Sequence, residues 1–253
     1  MAFLEAAGRA LSYEWVGVER GRPPLVFLHE GLGSIRQWRD FPARVAAGTG
    51  ARALVYDRYG YGQSDVLQEP RRTLQFMHDE AQLLPAILDA AGIERAHLVG
   101  HSDGGSIALI FAAQFPERVE SLLLEAPHVF VEDISLTSIE QRTADYRRTD
   151  LRERLARHHR HVDVAFHGWT DVWLDPAFRT WNLETLLPAI SCPLLLIQGE
   201  QDDYGTLRQI DVIEQQVRGP VERLVLPDCG HSPHRDQREP VLSAMTAFLR
   251  SLA

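Results

Sequence analysis

Residues 96–105 read Ala-His-Leu-Val-Gly-His-Ser-Asp-Gly-Gly, and this stretch decides the architecture. Ala96-His97-Leu98-Val99 has the length and apolarity of a buried strand, whereas the Ala/Ile/Leu-rich residues 103–115 suit a helix. Between them the chain must turn sharply. A residue at the apex of such a turn holds a strained backbone conformation, and its neighbours at minus two and plus two must be small or strand and helix collide. Gly100 and Gly104 meet that demand around Ser102, and Gly105 adds room. The helix that follows points its positive N-terminal end at the hydroxyl. A carboxylate nucleophile at Asp103 would place His101 at minus two, where an imidazole clashes. The glycine spacing therefore selects Ser102.

Outward from this turn, short apolar runs alternate with helical patterns, which predicts an α/β protein with a mostly parallel sheet covered by helices. Strands are expected at 11–18, 25–28, 53–56, 97–100, 121–125, 194–198 and 222–226. The first alternates and is expected at an antiparallel edge; the others are continuous apolar runs, as for strands buried on both faces. Helices are expected at 41–47, 73–91, 103–115, 207–217 and 240–251, with Pro85 bending the second and Gly92 ending it. The rhythm breaks over 128–188, which has no β-like run and is rich in Arg, His, Asp and Trp. This segment reads as several helices inserted over the carboxyl ends of the strands, where open α/β sheets place their sites. The domain reading is a core of 1–127 and 189–253 with a cap of 128–188.

A chain of 253 residues can bury a sizeable core. Its net charge of −9 offers no basic stripe for phosphates and argues against a nucleic-acid partner. No apolar run approaches the ~20 residues of a membrane span. The start, Met1-Ala2-Phe3-Leu4-Glu5, lacks a basic region followed by an apolar stretch, so no secretory signal is expected. The two cysteines, Cys192 and Cys229, form no disulfide framework, and a reduced cytoplasmic setting is expected.

A serine is a poor nucleophile at neutral pH unless a base takes its proton and a third group orients the base. Beyond 194–198 lies Gly199-Glu200-Gln201-Asp202-Asp203-Tyr204, a loop carrying carboxylates at the end of a buried strand. Beyond 222–226 lies Pro227-Asp228-Cys229-Gly230-His231-Ser232-Pro233-His234, in which His231 is the preferred base and His234 the weaker candidate. Two preorganised donors must receive the oxyanion. The Asp103 backbone N–H is one, and Gly31, in His29-Glu30-Gly31-Leu32-Gly33-Ser34, is the favoured second.

Taken together, these loops resemble those of the α/β-hydrolase superfamily over nearly the whole chain. The matching pieces are His29-Glu30-Gly31, Asp57-Arg58-Tyr59-Gly60-Tyr61-Gly62-Gln63-Ser64, the Ser102 elbow, Gly199-Glu200-Gln201-Asp202 and Gly230-His231. The chain is most similar to the capped, bacterial, esterase-like branch with a His-Ser-Asp-Gly-Gly elbow. The resemblance implies the α/β-hydrolase fold with a helical cap inserted after the sixth core strand. It also implies Ser102 as nucleophile, Asp202 as acid and His231 as base, no cofactor and a small-molecule acyl substrate. Some relatives place their acid at the position of Glu125, which stands as the alternative acid, with Asp203 behind it. The chain departs from the family at Glu30, where the usual residue is glycine, and Asp103 sets a second carboxylate beside the nucleophile. Either could repel an anionic substrate.

The reaction expected is hydrolysis of a small, largely uncharged ester. C–C bond hydrolysis of a vinylogous diketone, lactone or amide cleavage, a haloperoxidase-like side activity, and a non-catalytic ligand receptor on the same fold are the alternatives. Trp169, Trp173 and Trp181 read first as packing residues, with one or two lining an acyl pocket. His158, His159, His161 and His167 invite a metal, but arginines interleave them and no acidic or thiol ligand completes a set, so a polar cap surface is expected. Glu30 is expected to bond to nearby backbone, Asp57 and Arg58 to tie loops beneath the site, and Cys229 to pack. The oligomeric state is not legible.

Overall fold

The computed structural model describes residues 2–69 and 71–252. Its sheet has eight strands, β1 Ala2–Ala6, β2 Arg9–Val16, β3 Leu25–Leu28, β4 Ala53–Tyr56, β5 Ala96–His101, β6 Val119–Glu125, β7 Leu194–Gly199 and β8 Val221–Leu226. The spatial order is β1-β2-β4-β3-β5-β6-β7-β8. β1 and β2 are antiparallel to their neighbours, and β4, β3, β5, β6, β7 and β8 run parallel. β3, β4 and β7 are buried along their whole length, which is why they read as unbroken apolar runs.

The edge differs from expectation. The alternating segment is β2, which is antiparallel but not outermost, because β1 pairs along it from Ala2↔Tyr13 to Ala6↔Arg9. β1 escapes a sequence reading because it is five residues long and turns only Leu4 and Ala6 inward, while Phe3 is half exposed. The helix expected from residue 73 begins at Phe76, because the Thr73 hydroxyl and carbonyl accept the backbone N–H groups of Gln75 and Phe76 in a separate turn. Gly92, with φ +67°, closes it.

Between β6 and β7 the chain forms helices Asp133–Arg148, Leu151–Ala156 and Val162–Trp173, then 3-10 turns Pro176–Thr180 and Glu184–Ala189. Aromatic packing joins this segment internally: Tyr146 stacks on Phe166, and Trp173, Phe178 and Trp181 form a cluster. His159 secures it to the core. Its Nδ1 accepts the Gly62 backbone N–H and its Nε2–H donates to the Leu32 carbonyl. This corrects the expectation of a surface histidine, since His159 is only 3% exposed.

Strand registers set the position of the loops. Leu28 pairs with Gly100, His101 with Glu125, Glu125 with Ile197, and Gly199 with Leu226. Five parallel strands thus end level, and the loops beyond them leave the same edge side by side. At the centre Ser102 adopts φ 53°, ψ −120°, a region costly for any residue with a side chain. A Cβ on Gly104 would overlap the Leu28 carbonyl, and one on Gly100 would lie 2.6 Å from the Gly104 carbonyl oxygen. Gly104→Ala is therefore expected to lower stability by about 3 kcal/mol or more, read as a shift in the urea midpoint. An unchanged midpoint would show that the helix has room to retreat.

Candidate active site

The turn after β5 presents Ser102 between β3 and β6. Its Oγ lies 2.9 Å from His231 Nε2, and His231 Nδ1 lies 2.9 Å from both carboxylate oxygens of Asp202. The neutral tautomer consistent with this chain carries its proton on Nδ1, donated to the carboxylate, and leaves Nε2 to accept from the serine. Asp202 is fixed from other sides as well: the backbone N–H groups of Tyr204 and Gly205 donate to Oδ1, and the Gln198 side-chain amide donates to Oδ2. Burial works to raise the Asp202 pKa, but the adjoining His231 and then the Tyr204 backbone N–H outweigh it and hold the carboxyl below its ordinary value. The Tyr204 ring lies 4.6 Å from the His231 ring.

Glu125, the alternative acid, belongs elsewhere. Its Oε2 accepts both the backbone N–H and Nδ1–H of His234 at 2.9 Å. Burial alone would raise the Glu125 pKa, yet His234 pulls it below the usual value. His234 is correspondingly buried against Trp38 and Phe41 and does not meet Ser102. Asp203 lines the cavity without reaching His231.

Gly31 and Asp103 line, together with Ser102, a cavity of about 600 Å³. Among the described residues, neither backbone N–H meets a protein acceptor. Trp169 and Trp173 line the same cavity. A Cβ on Gly31 would overlap the Trp169 indole, so the glycine permits the close fit there. Trp173 Nε1 donates to Asp103 Oδ1 at 3.2 Å. Trp181 does not line the cavity; it stacks on Phe178 behind Trp173, which corrects its place as a pocket residue.

The two departures from the family pattern are built into a buried charge network. Asp103 is pushed up to about 6 by burial, with Arg58, 4.0 Å away, acting in the opposite direction. Arg58 also donates to Glu80 at 2.6 Å and to the Glu30 carbonyl, and Arg72 donates to the other oxygen of Glu80. Asp57 accepts the backbone N–H groups of Ile35 and Gln63, so this pair of residues ties loops together as expected. Glu30 turns out differently. Its carboxylate faces side chains, His101 at 3.4 Å and Arg235 at 3.3 Å, rather than backbone. Through Nε2, His101 donates to the His231 carbonyl at 2.6 Å. The residue before the nucleophile thus joins the Gly31 loop to the His231 loop, a role that no local motif signals.

Burial favours a neutral His101, but Glu30 prevails and raises its pKa; burial likewise opposes ionised Glu30, and His101 and Arg235 lower its pKa well below the ordinary value. The contribution of His101 is complete below the ordinary imidazole range and lost as pH rises through its raised value. That of Glu30 is present above the ordinary carboxylate range and lost in acid. Glu30→Gln is expected to cost about 1.5–3 kcal/mol near pH 6 and less at a pH above the raised His101 value, where the imidazole has lost its charge. Urea unfolding at the two pH values checks this, and an equal loss at both would exclude a charge on His101.

Comparison with known proteins gives the family to which this fold belongs. The chain is 38% identical over 121 residues to a 2-hydroxy-6-oxononadienedioate/2-hydroxy-6-oxononatrienedioate hydrolase of Paraburkholderia phymatum, covering 46% of this chain and 40% of the relative. It is 32% identical over 112 residues to a proline iminopeptidase of Lactobacillus delbrueckii subsp. bulgaricus, covering 44% of this chain and 38% of the relative. The matched stretch is thus well under half the length of either relative. A bacterial membrane phospholipase A structure superposes with TM-score 0.82 at 23% identity, over 99% of this chain and 86% of that one. The family model for the alpha/beta hydrolase fold matches residues 23–184, the stretch that carries the Gly31 loop, the Ser102 elbow and the helices after β6. The chain belongs to the α/β-hydrolase family.

Proposed function

We propose that the chain is a serine hydrolase that cleaves a small, largely uncharged carboxylic ester or related acyl compound through an acyl-enzyme intermediate. One observation carries this reading: an unbroken hydrogen-bonded line from Ser102 Oγ through His231 to Asp202 opens on a cavity of substrate size. Ser102 attacks the carbonyl carbon while His231 Nε2 takes its proton. Asp202 holds the imidazole in the required tautomer and stabilises the imidazolium that forms. The Gly31 and Asp103 backbone N–H groups receive the oxyanion. His231 then protonates the leaving group and activates the water that releases the acid, a cycle that needs no cofactor.

Residues 128–188 act in this reading as a cap, since Trp169 and Trp173 reach the cavity from them. The largely uncharged substrate is supported by the lining. Glu30, Asp103, Asp203 and Asp236 face it alongside Arg142, Arg154 and Arg235. Two of these arginines already pair with carboxylates, Arg235 with Glu30 and Arg154 with Asp150. No single sign of charge is left to select an ion.

A second reading is C–C bond hydrolysis of a vinylogous diketone, favoured by the name of the Paraburkholderia relative. Both reactions place the same demands on Ser102, His231 and the oxyanion donors, so the two are separated by substrate. Offering a ring-cleavage dienone and a short ester to one preparation decides between them. Ser102→Ala is expected to reduce turnover by ~10⁴–10⁶ and to abolish labelling by a fluorophosphonate. Retention of most activity would refute the serine mechanism. Asp202→Asn is expected to cost ~10⁴ in kcat with little change in KM, as measured by steady-state kinetics.

A further inference from the structure

His128 follows β6 and stands outside the Ser102–His231–Asp202 line, yet it lines the same cavity. Its backbone is locked to the nucleophile helix: the Ser106 hydroxyl donates to the His128 carbonyl at 2.6 Å, and the His128 N–H donates to the Ser106 oxygen at 3.1 Å. The ring sits 5.6 Å from the His231 ring and 5.2 Å from Trp173, both of which line the cavity with it. It is 2% exposed; its Nδ1 is buried without a partner on the side of Gly205, whereas Nε2 stays accessible and meets no protein group among the described residues.

Buried polar side chains are almost always paired, and one left unpaired costs the full desolvation of its polar atom. In the free enzyme, solvent in the cavity can serve Nε2, the ring nitrogen that stays accessible. A bound substrate must replace that water or leave the ring unpaired. An all-carbon acyl chain would do the latter. Burial first, and then His231 beside it, push His128 down to about 3, with Asp202 opposing and His101 reinforcing. The ring is therefore neutral, with one N–H and one lone pair. A hydroxyl, which both donates and accepts, satisfies either tautomer, whereas a carboxylate would face a lone pair in one of them.

We infer that His128 is a specificity-determining residue that hydrogen-bonds a hydroxyl on the substrate's acyl part, one or two carbons from the scissile carbonyl. The inference rests on the serine-hydrolase reading and narrows its substrate class to short hydroxyacyl compounds. The closeness of the ring to His231 sets the position of the hydroxyl near the reacting bond. A pocket built to pair a substrate hydroxyl discriminates against the analogue that lacks it, because its own polar group is then stranded.

The test uses methyl butyrate, methyl 2-hydroxybutyrate and methyl 3-hydroxybutyrate, with acid release followed at constant pH and active sites counted by fluorophosphonate labelling. The full chain is expected to prefer one of the hydroxy esters by about 10- to 100-fold in kcat/KM. His128→Phe is expected to bring that ratio close to one, and His128→Gln, which keeps a donor and an acceptor, to restore part of it. The ratio is measured within each protein, so partial misfolding does not obscure it. Labelling at Ser102 with equal turnover or no turnover of the three esters, or a preference that survives His128→Phe, would overturn the inference and leave the serine hydrolase standing. Failure of Ser102 to label would remove both.

Discussion

The close approach of the helix Asp103–Gln114 to the end of β3 governs the rest of the molecule. Because Gly104 has no Cβ, the first turn of that helix can lie against the Leu28 carbonyl, and because Gly100 has none, the strand can pass beneath it. The chain can then reverse only by carrying Ser102 into a backbone conformation that L-residues avoid. The strain has a use. It lifts the hydroxyl clear of the sheet, leaves the Asp103 N–H at an uncapped helix start, and aims both into the space between neighbouring loops. Every other distance in the site is set relative to that hydroxyl.

Around this apex, buried ions hold loops that have little regular structure of their own. Arg58 is 1% exposed and contacts the helix Phe76–Ala90 through Glu80, the loop after β3 through the Glu30 carbonyl, and the nucleophile helix through Asp103. Arg72 shares Glu80. A lone charge in such a place would cost several kcal/mol; here two guanidinium groups meet two carboxylates, so the cluster tolerates burial only as a set. On the other side, the hydrogen bonds of His234 to Glu125 and the contacts of Glu30 with His101 and Arg235 hold the loop that carries His231. Their contribution is geometric: a paired ion has few alternative positions, and a loop anchored by several of them has fewer still.

These pairings also explain where the residues by themselves left alternatives open at the site. Glu125 ends a strand beside the nucleophile and is as well placed in sequence as Asp202 to serve as an acid. The difference lies in the short helix Pro233–Asp236, which brings His234 onto Glu125 and occupies it. Among four histidines in one stretch, His159 alone is anchored between Gly62 and Leu32, partners about a hundred residues away. Trp169, Trp173 and Trp181 are the same residue type in one stretch, but only the first two lie on the helix Val162–Trp173, against Gly31 and Asp103. His128 carries no motif at all. Its significance comes from a lack of partners, a property that exists only once neighbours are placed.

The order of elements, the parallel sheet and the identity of Ser102 and His231 as candidates were legible because they follow from short-range rules. Apolar runs buried on both faces, glycines two residues either side of a reversing serine, and loops at strand ends are all local in sequence. The antiparallel β1, too short to show its alternation, is where those rules ran out. The choice between Asp202 and Glu125, the joining of two site loops by His101, and the lining of the cavity depended on contacts between residues far apart in the chain, 109 positions for Glu125 and His234 and 130 for His101 and His231. Such contacts are settled by which charges can be buried together and which side chains fit against a bare glycine, and neither is written in any local pattern.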